Sequence, residues 1–148
     1  MNVAFFLIPK SQVVWLPMHA TLGQAIAQLE QSGCTALPLL DDDERYAGTV
    51  TEGDILRELM RASEPNQLNS SATEQVLLRQ VQLRTNVRPV GIDAHMEELF
   101  GRAIEQNFVP VADSRGVFVG IVRRREILEF CARVFAPRVL TESVITKS

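Results

Sequence analysis

Two short segments of the chain carry side chains whose types and spacing could perform chemistry. In one, Thr51 stands three residues before Asp54 at the start of an apolar helical pattern, and in the other a run of arginines, Arg123–Arg125, precedes Glu126. The start of a helix has free amide N–H groups and the positive end of the helix dipole, which both favour a phosphate. Arginine binds phosphate oxygens through paired hydrogen bonds. The arginine run therefore predicts an anion-binding site.

Both segments also have a purely structural interpretation. Thr51 and Asp54 match a capping box, in which the side chain of each residue accepts a hydrogen bond from the backbone amide of the other. The arginine run could be a solvated face with one intramolecular pair to Glu126 or Glu129. Without an anion, however, cations at a helix N-terminus are unfavourable by about 0.3–1 kcal/mol each. This cost favours anion binding for the arginines and leaves both interpretations open for Thr51 and Asp54.

The composition predicts one compact cytoplasmic domain without metal or nucleic-acid chemistry. The chain has 148 residues and a net charge of −3, so it lacks the basic excess typical of duplex nucleic-acid binders. Cys34 and Cys131 form no CxxC motif, and with only two histidines in the chain they predict no zinc site, so we expect them to be reduced and buried. The apolar start, residues 1–9, is too short for a membrane span and lacks the basic flank of a signal peptide. No P-loop or nucleophile–base pair predicts an enzyme.

The chain also repeats itself. Residues 36–41 read ALPLLD and residues 108–113 read FVPVAD, and each segment is followed by a second apolar run around a glycine. Three pairs of residues share one and the same separation along the chain: Pro38 with Pro110, Gly48 with Gly120, and Asp54 with Glu126. Upstream of these pairs the separation is longer by two positions. A fixed offset over so many positions predicts two copies of one structural unit.

The apolar spacing of each copy predicts the order β-α-β-β-α. Thr21 and Asp93 are the predicted N-caps of the first helices, and a short helix is expected at 74–83, between the copies. The predicted strands are 13–16, 36–40 and 46–50 in the first copy and 87–92, 109–112 and 117–122 in the second. Because neither small sheet can bury both faces alone, the fold class is α+β, with the two repeats packed by pseudo-twofold symmetry.

The repeated pattern h-P-h-h-D, then h-x-G-h-h-T-x-x-D, resembles the CBS motif, and two copies resemble a CBS pair, or Bateman module. The second copy departs from the motif, since Arg123 occupies the threonine position and Glu126 the aspartate position. The segments at 35–38, 100–101 and 118–125 are most similar to the stand-alone CBS-pair proteins of Gram-positive bacteria that bind cyclic di-AMP. The implied organisation is a first CBS motif at 1–62, a linker with a short helix at 63–80, a second CBS motif at 81–137 and a C-terminal tail at 138–148.

The resemblance also implies two nucleotide clefts, each formed by the final helix of one copy and the early strands of the other. In the family, the aspartate at the Asp54 position grips the ribose hydroxyls. The first cleft would use Val14, Cys34, Thr35, Ala36 and Leu37 with Arg123, Arg124, Arg125 and Glu126. The second cleft would use Thr51 and Asp54 with Arg88, Asn107, Phe108 and Val109. We favour the first cleft because its charge complements a phosphate.

The expected function is a regulatory sensor of an adenine nucleotide: cyclic di-AMP, AMP, ADP or ATP. The resemblance implies a homodimer formed through helices, and a protein partner such as a (p)ppGpp synthetase or a metabolic enzyme. We expect no catalytic residue, metal, other cofactor, nucleic acid or membrane to be involved. Two alternatives stay open: a scaffold or interaction module that senses no ligand, and an enzyme that acts on nucleotides.

Overall fold

The computed structural model describes residues 2–63, 70–85 and 87–135, so the predicted tail at 138–148 and residues 64–69 of the predicted linker lie outside the described residues. The strands are β1 (Ile8–Pro9), β2 (Leu16–Pro17), β3 (Ala36–Leu40), β4 (Tyr46–Thr51), β5 (Val90–Gly91), β6 (Phe108–Ala112) and β7 (Phe118–Arg123). The helices are α1 (Leu22–Ser32), α2 (Glu52–Arg61), α3 (Ala72–Gln75), α4 (Met96–Glu105) and α5 (Arg124–Phe135). Within the described ranges, no helix combines the length and the apolar character needed to cross a membrane.

The strands form two sheets that confirm the repeat. The first sheet has the order β2-β3-β4 and the second has the order β1-β7-β6-β5. In both sheets the leading short strand pairs in parallel, while the two longer strands form an antiparallel hairpin. Leu37 lies opposite Val50 in the first hairpin, and Val109 lies opposite Val122 at the equivalent positions of the second, so the two registers are the same. The α+β prediction and the pairing of two repeats are therefore confirmed.

Each repeat has its own hydrophobic core, and a third cluster joins the two sheets. The first core consists of Ala20, Leu22, Ala25, Leu29, Leu37, Leu39, Val50, Ile55, Leu78 and Val81. The second core consists of Val3, Phe6, Val90, Leu99, Ala103, Val109, Val111, Val122 and Ile127. The third cluster is built from Leu40, Phe118 and Ile121, so it takes residues from both hairpins. The hairpins are also bonded directly, because the Phe118 amide donates to the Glu44 carbonyl.

The leading segments of the two repeats are exchanged. β1 lies at the start of the chain, yet it pairs with β7, with Ile8 opposite Ile121. Val3 and Phe6 belong to the second core, whereas Leu78 and Val81, which precede the second repeat, belong to the first core. Each repeat thus completes its core with residues from the segment that precedes the other repeat.

Several local predictions were wrong or only partly right. Asp93 is not an N-cap, because α4 begins at Met96 and the cap residue is His95. The helix predicted at 74–83 is replaced by α3 and a separate 3₁₀ turn at Leu78–Gln80, since the chain turns there to place Leu78 in the first core. β2 and β5 are only two residues long, shorter than predicted. Cys34 is exposed rather than buried.

Candidate functional site

The N-terminus of α2 is capped by side chains of the same segment. The Thr51 hydroxyl accepts a hydrogen bond from the Asp54 amide at 3.2 Å, and the Asp54 carboxylate accepts one from the Thr51 amide at 3.0 Å. The other oxygen of Asp54 accepts from Arg57 Nη2 at 2.5 Å and from the Arg84 amide at 3.3 Å. The Asp54 side chain is completely buried. The capping box therefore forms, and protein donors already engage both oxygens of this carboxylate.

The start of α5 is held by exposed ion pairs. Arg123 Nη2 lies 2.7 Å from Glu126 Oε1, and Arg125 Nε lies 2.9 Å from Glu129 Oε1. The hydrogen bond to Glu129 raises the pKa of Arg125 above its ordinary value. The arginine side chains are 55% and 82% exposed, so each pair is open to exchange with a dissolved anion.

Arg124 differs from its two neighbours because it bonds to backbone carbonyls. Its Nε donates to the Ala103 carbonyl at 2.6 Å and its Nη2 donates to the Ile104 carbonyl at 2.9 Å. Both carbonyls belong to the last turn of α4, where a cation is favourable to the helix dipole. Arg124 thus stabilises the end of α4 and lies at the junction between α4 and α5.

The final helix of each repeat is also bonded to the residue just before the hairpin of the same repeat. The Glu52 amide donates to the Thr35 carbonyl at 3.0 Å, and the Arg124 amide donates to the Asn107 carbonyl at 2.8 Å. These two contacts occupy equivalent positions in the two repeats. They place Thr35 beside the start of α2 and Asn107 beside the start of α5.

A cavity of about 330 Å³ lies between the two repeats. From the predicted second cleft it contains Thr51, Asn107 and Phe108, and from the predicted first cleft it contains Ala36 and Arg124. The other lining residues are Thr49, Thr85, Glu105 and Gln106, which sequence reasoning missed. This inter-repeat cavity combines hydroxyl and amide groups with one aromatic ring, the Glu105 carboxylate and the Arg124 guanidinium, which is bonded to carbonyls of α4. Such a lining suits a ligand with polar edges and an apolar face.

One of the missed residues carried a signal in the sequence. Thr49 and Thr51 are two apart on β4, so their side chains project to the same face of the strand. Thr49 is buried, and its hydroxyl lies 2.5 Å from the Tyr46 hydroxyl. By contrast, Thr85 is brought to the cavity by the turn of the chain after Leu78–Gln80, which no local pattern predicts.

The remaining predicted site residues lie elsewhere. Leu37 and Val109 are buried in the first and second cores, respectively, while Val14 is 36% exposed. Arg88 is exposed, and its carbonyl accepts a hydrogen bond from Arg102. Cys34 and Thr35 line an apolar groove of about 530 Å³ between α1 and α2. Among the described residues, no group of three His, Cys, Asp or Glu side chains could hold a metal ion.

Comparisons with known proteins agree with this architecture. Among curated proteins, cyclic di-AMP receptor B of Bacillus subtilis (strain 168) is 28% identical to this chain over 130 residues, which covers 86% of this chain and 84% of the relative. It is thus similar along almost the whole of both chains.

Solved structures match the fold. A hypothetical conserved protein from Geobacillus kaustophilus superposes with a TM-score of 0.80 at 24% identity, covering 90% of this chain and 97% of that chain. The CbpB protein of Listeria monocytogenes, solved in complex with c-di-AMP, superposes with a TM-score of 0.76 at 22% identity, covering 88% of this chain and 95% of that chain. The CBS domain family matches residues 7–61 and 78–133, which are the two repeats, and the chain therefore belongs to the CBS domain family as a CBS pair.

Proposed function

We propose that this chain is a regulatory CBS-pair protein that binds an adenine nucleotide, with cyclic di-AMP as the first candidate and AMP, ADP and ATP as the others. The observation that carries the proposal is the inter-repeat cavity, which is lined by hydroxyl, amide, aromatic, carboxylate and guanidinium groups of both repeats. The choice of cyclic di-AMP is supported by two of the similar proteins, one a cyclic di-AMP receptor and one solved in complex with c-di-AMP.

The arginines on either side of Arg124, which itself lines the cavity, suggest how the phosphates of such a ligand would be held at the start of α5. Arg123 and Arg125 each exchange a carboxylate partner for a phosphate without exposing a buried charge, because their pairs with Glu126 and Glu129 lie at the surface. Phe108 offers a ring for a base to pack against, and the cavity's threonines can bond the ribose. Asp54 is a poor ribose ligand here, since Thr51, Arg57 and Arg84 already donate to it.

A titration of cyclic di-AMP, AMP, ADP and ATP by calorimetry tests this proposal. A ligand at about 100 times its Kd stabilises the folded state by roughly 2.7 kcal/mol, which for a chain of this size is a rise of roughly 5–10 °C in Tm. We expect at least one of the four to bind and to be recovered chemically unchanged. Absence of binding and of any Tm shift at about 1 mM would favour the scaffold alternative, whereas conversion of the nucleotide would favour an enzyme.

We further propose that the protein acts as a homodimer and controls a protein partner, such as a (p)ppGpp synthetase or a metabolic enzyme. The final helices expose large apolar side chains that their own sheets leave uncovered: Leu56 and Met60 on α2, and Leu128 and Val134 on α5. The apolar groove between α1 and α2 continues this surface through Leu56. Such a surface in water favours association with a second copy.

The variant Leu56→Glu tests the dimer, since it places a charge in the proposed contact without disturbing a buried side chain. We expect light scattering to show a dimer for the unmodified protein at about 20 µM and a monomer for the variant. The control is Ala47→Glu, at an exposed position on the hairpin. A monomeric unmodified protein, or a dimer that persists in Leu56→Glu, would contradict this assembly.

A further inference from the structure

A second polar cavity, of about 410 Å³, lies between α2 and the stretch at residues 80–84 that leads into the second repeat. We name it the α2 cavity. It is lined on the helix by Asp54, Arg57, Glu58 and Arg61, and on the other side by Gln80, Gln82 and Arg84. None of these seven residues lines the inter-repeat cavity, so the two cavities are separate surfaces.

Two buried carboxylates bind the arginines of α2. Among the residues that the structure describes, Asp54 and Glu58 are the charged residues that are buried. Arg57 is bonded to Asp54 at 2.5 Å, and Arg61 is bonded to Glu58 through Nη2 at 2.5 Å and Nε at 3.2 Å. The arginine side chains are nevertheless 42% and 73% exposed. The carboxylates thus hold two guanidinium groups in fixed positions at the solvent side.

Arg84 adds a third guanidinium without a balancing charge. Its backbone amide donates to Asp54, which ties this part of the chain to α2. Its guanidinium has no hydrogen-bond or ion-pair partner within residues 2–63, 70–85 and 87–135. With three arginines and two carboxylates, the α2 cavity carries an excess of one positive charge, and both of its carboxylates are already engaged.

The second repeat shows that this fold does not need a polar junction here. The position equivalent to Glu58 in the second repeat is Phe130, which packs edge-to-face on Phe5 at 5.3 Å and on Phe6 at 5.4 Å. Apolar packing at such a place is often as stable as a buried ion pair, because burying a carboxylate carries a desolvation penalty. The buried Glu58 in the first repeat therefore calls for a reason other than folding.

We propose that the α2 cavity is a binding site for a phosphate-bearing anion. Arg57, Arg61 and Arg84 supply the charge, and guanidinium groups held in place bind phosphate oxygens through paired hydrogen bonds. The side-chain oxygen of Gln80, Oε1, accepts a hydrogen bond from the Leu77 amide, so the side-chain NH₂ group of Gln80 is left to donate, as an anion requires. Asp54 and Glu58 are positioning residues for the arginines.

The test is a calorimetric titration with pyrophosphate at constant ionic strength. Arg84→Gln removes the guanidinium that has no partner among the described residues, and it exposes no buried carboxylate, so the variant keeps both ion pairs of α2. Since a charged hydrogen bond contributes about 1.5–3 kcal/mol, we expect pyrophosphate to bind about 10–100-fold more weakly. The matched control is Arg79→Gln, which removes the same charge from an exposed residue outside the cavity.

A selective loss in Arg84→Gln supports the site. Equal affinities of the two variants would show that pyrophosphate binding depends only on the net charge of the protein, which would overturn the proposal. The proposal would also be overturned if the unmodified protein bound no pyrophosphate at about 5 mM. A titration with cyclic di-AMP separates this site from the inter-repeat cavity, because we expect Arg84→Gln to leave that affinity unchanged. Pyrophosphate binding that depends on Arg84 in a protein that binds no adenine nucleotide would support the α2 cavity while contradicting the proposed function.

Discussion

The two final helices begin at equivalent positions but with opposite chemistry. Both make the same backbone contact, from the Glu52 amide to Thr35 in one repeat and from the Arg124 amide to Asn107 in the other. At the cap position, however, the first repeat has Thr51, whose hydroxyl bonds an amide of the helix start. The second repeat has an arginine there, and a guanidinium has no acceptor with which to bond an amide.

This difference is the basis on which we propose a structural role for one helix start and a binding role for the other. In the first repeat, the capping box and Arg57 satisfy the Thr51–Asp54 segment within the protein. In the second repeat, Arg123 is paired with the half-buried Glu126 and Arg125 with the exposed Glu129, and we propose that an anion can replace these carboxylates. We therefore propose that the anion binds at the repeat that departs from the family pattern, because its outer arginines, Arg123 and Arg125, are exposed, whereas the Asp54 carboxylate of the other repeat is buried and fully bonded.

The largest expected effect is on stability, from Asp54→Ala compared with Glu126→Ala. Asp54→Ala removes half of the capping box and leaves the Thr51 and Arg84 amides and Arg57 without their acceptor. We expect the free energy of unfolding to fall by about 2–3 kcal/mol. Glu126 is paired only with an exposed arginine, so its replacement should lower that free energy by less than about 1 kcal/mol. Urea denaturation of the ligand-free proteins measures both changes.

Equal decreases in the free energy of unfolding of the two variants would contradict the proposed difference between the two helix starts. A smaller loss for Asp54→Ala together with weaker nucleotide binding would assign Asp54 to the ligand, as the family resemblance implies. Thr51→Val is a further check, because it deletes the capping hydroxyl while it retains a β-branched side chain of similar size. We expect it to destabilise the protein by about 1 kcal/mol.

The hairpins and most helices could be predicted from the sequence because their signals are local. The apolar runs of β3 and β6 are buried along nearly their whole length, and Thr21 is the N-cap of α1, as predicted, with Gln24 completing a capping box. The prediction of Asp93 as an N-cap failed because the chain makes one more turn, with the Ala94 amide bonded to the Gly91 carbonyl, before the helix begins. The local sequence does not distinguish an aspartate in such a turn from an aspartate that caps a helix.

The site was less predictable because it depends on contacts between distant segments. β1, near the start of the chain, pairs with β7 of the second repeat, and the sequence of neither strand indicates which strand it pairs with. Thr85 and Arg84 reach their two cavities only because Leu78 and Val81 anchor the preceding chain in the first core. The arginine run shows both cases: the pairs with Glu126 and Glu129 were among the predicted alternatives because their spacing is local, whereas nothing local to Arg124 indicates that it bonds the end of α4.

The smallest expected effect on stability, and the sharpest on binding, comes from Arg125→Met. The methionine retains helix propensity and most of the apolar stem but removes the guanidinium. In the ligand-free protein, the loss of the exposed pair with Glu129 is offset by the removal of a cation from a helix N-terminus, so the free energy of unfolding should hardly change. If a phosphate of the nucleotide binds at the start of α5, calorimetry should show an affinity about 10–100-fold lower.

The matched control for Arg125 is Glu129→Gln, which removes the carboxylate that competes for the guanidinium. The lost acceptor lowers the pKa of Arg125 toward its ordinary value, but the side chain stays fully charged near neutral pH. A nucleotide phosphate would then not need to displace the Glu129 carboxylate from Arg125. The affinity for the nucleotide should therefore stay equal or rise, opposite to the effect of Arg125→Met. If instead both variants bind the nucleotide as the unmodified protein does, Arg125 and Glu129 form only a solvated pair, and the contrast between the two helix starts has no role in ligand binding.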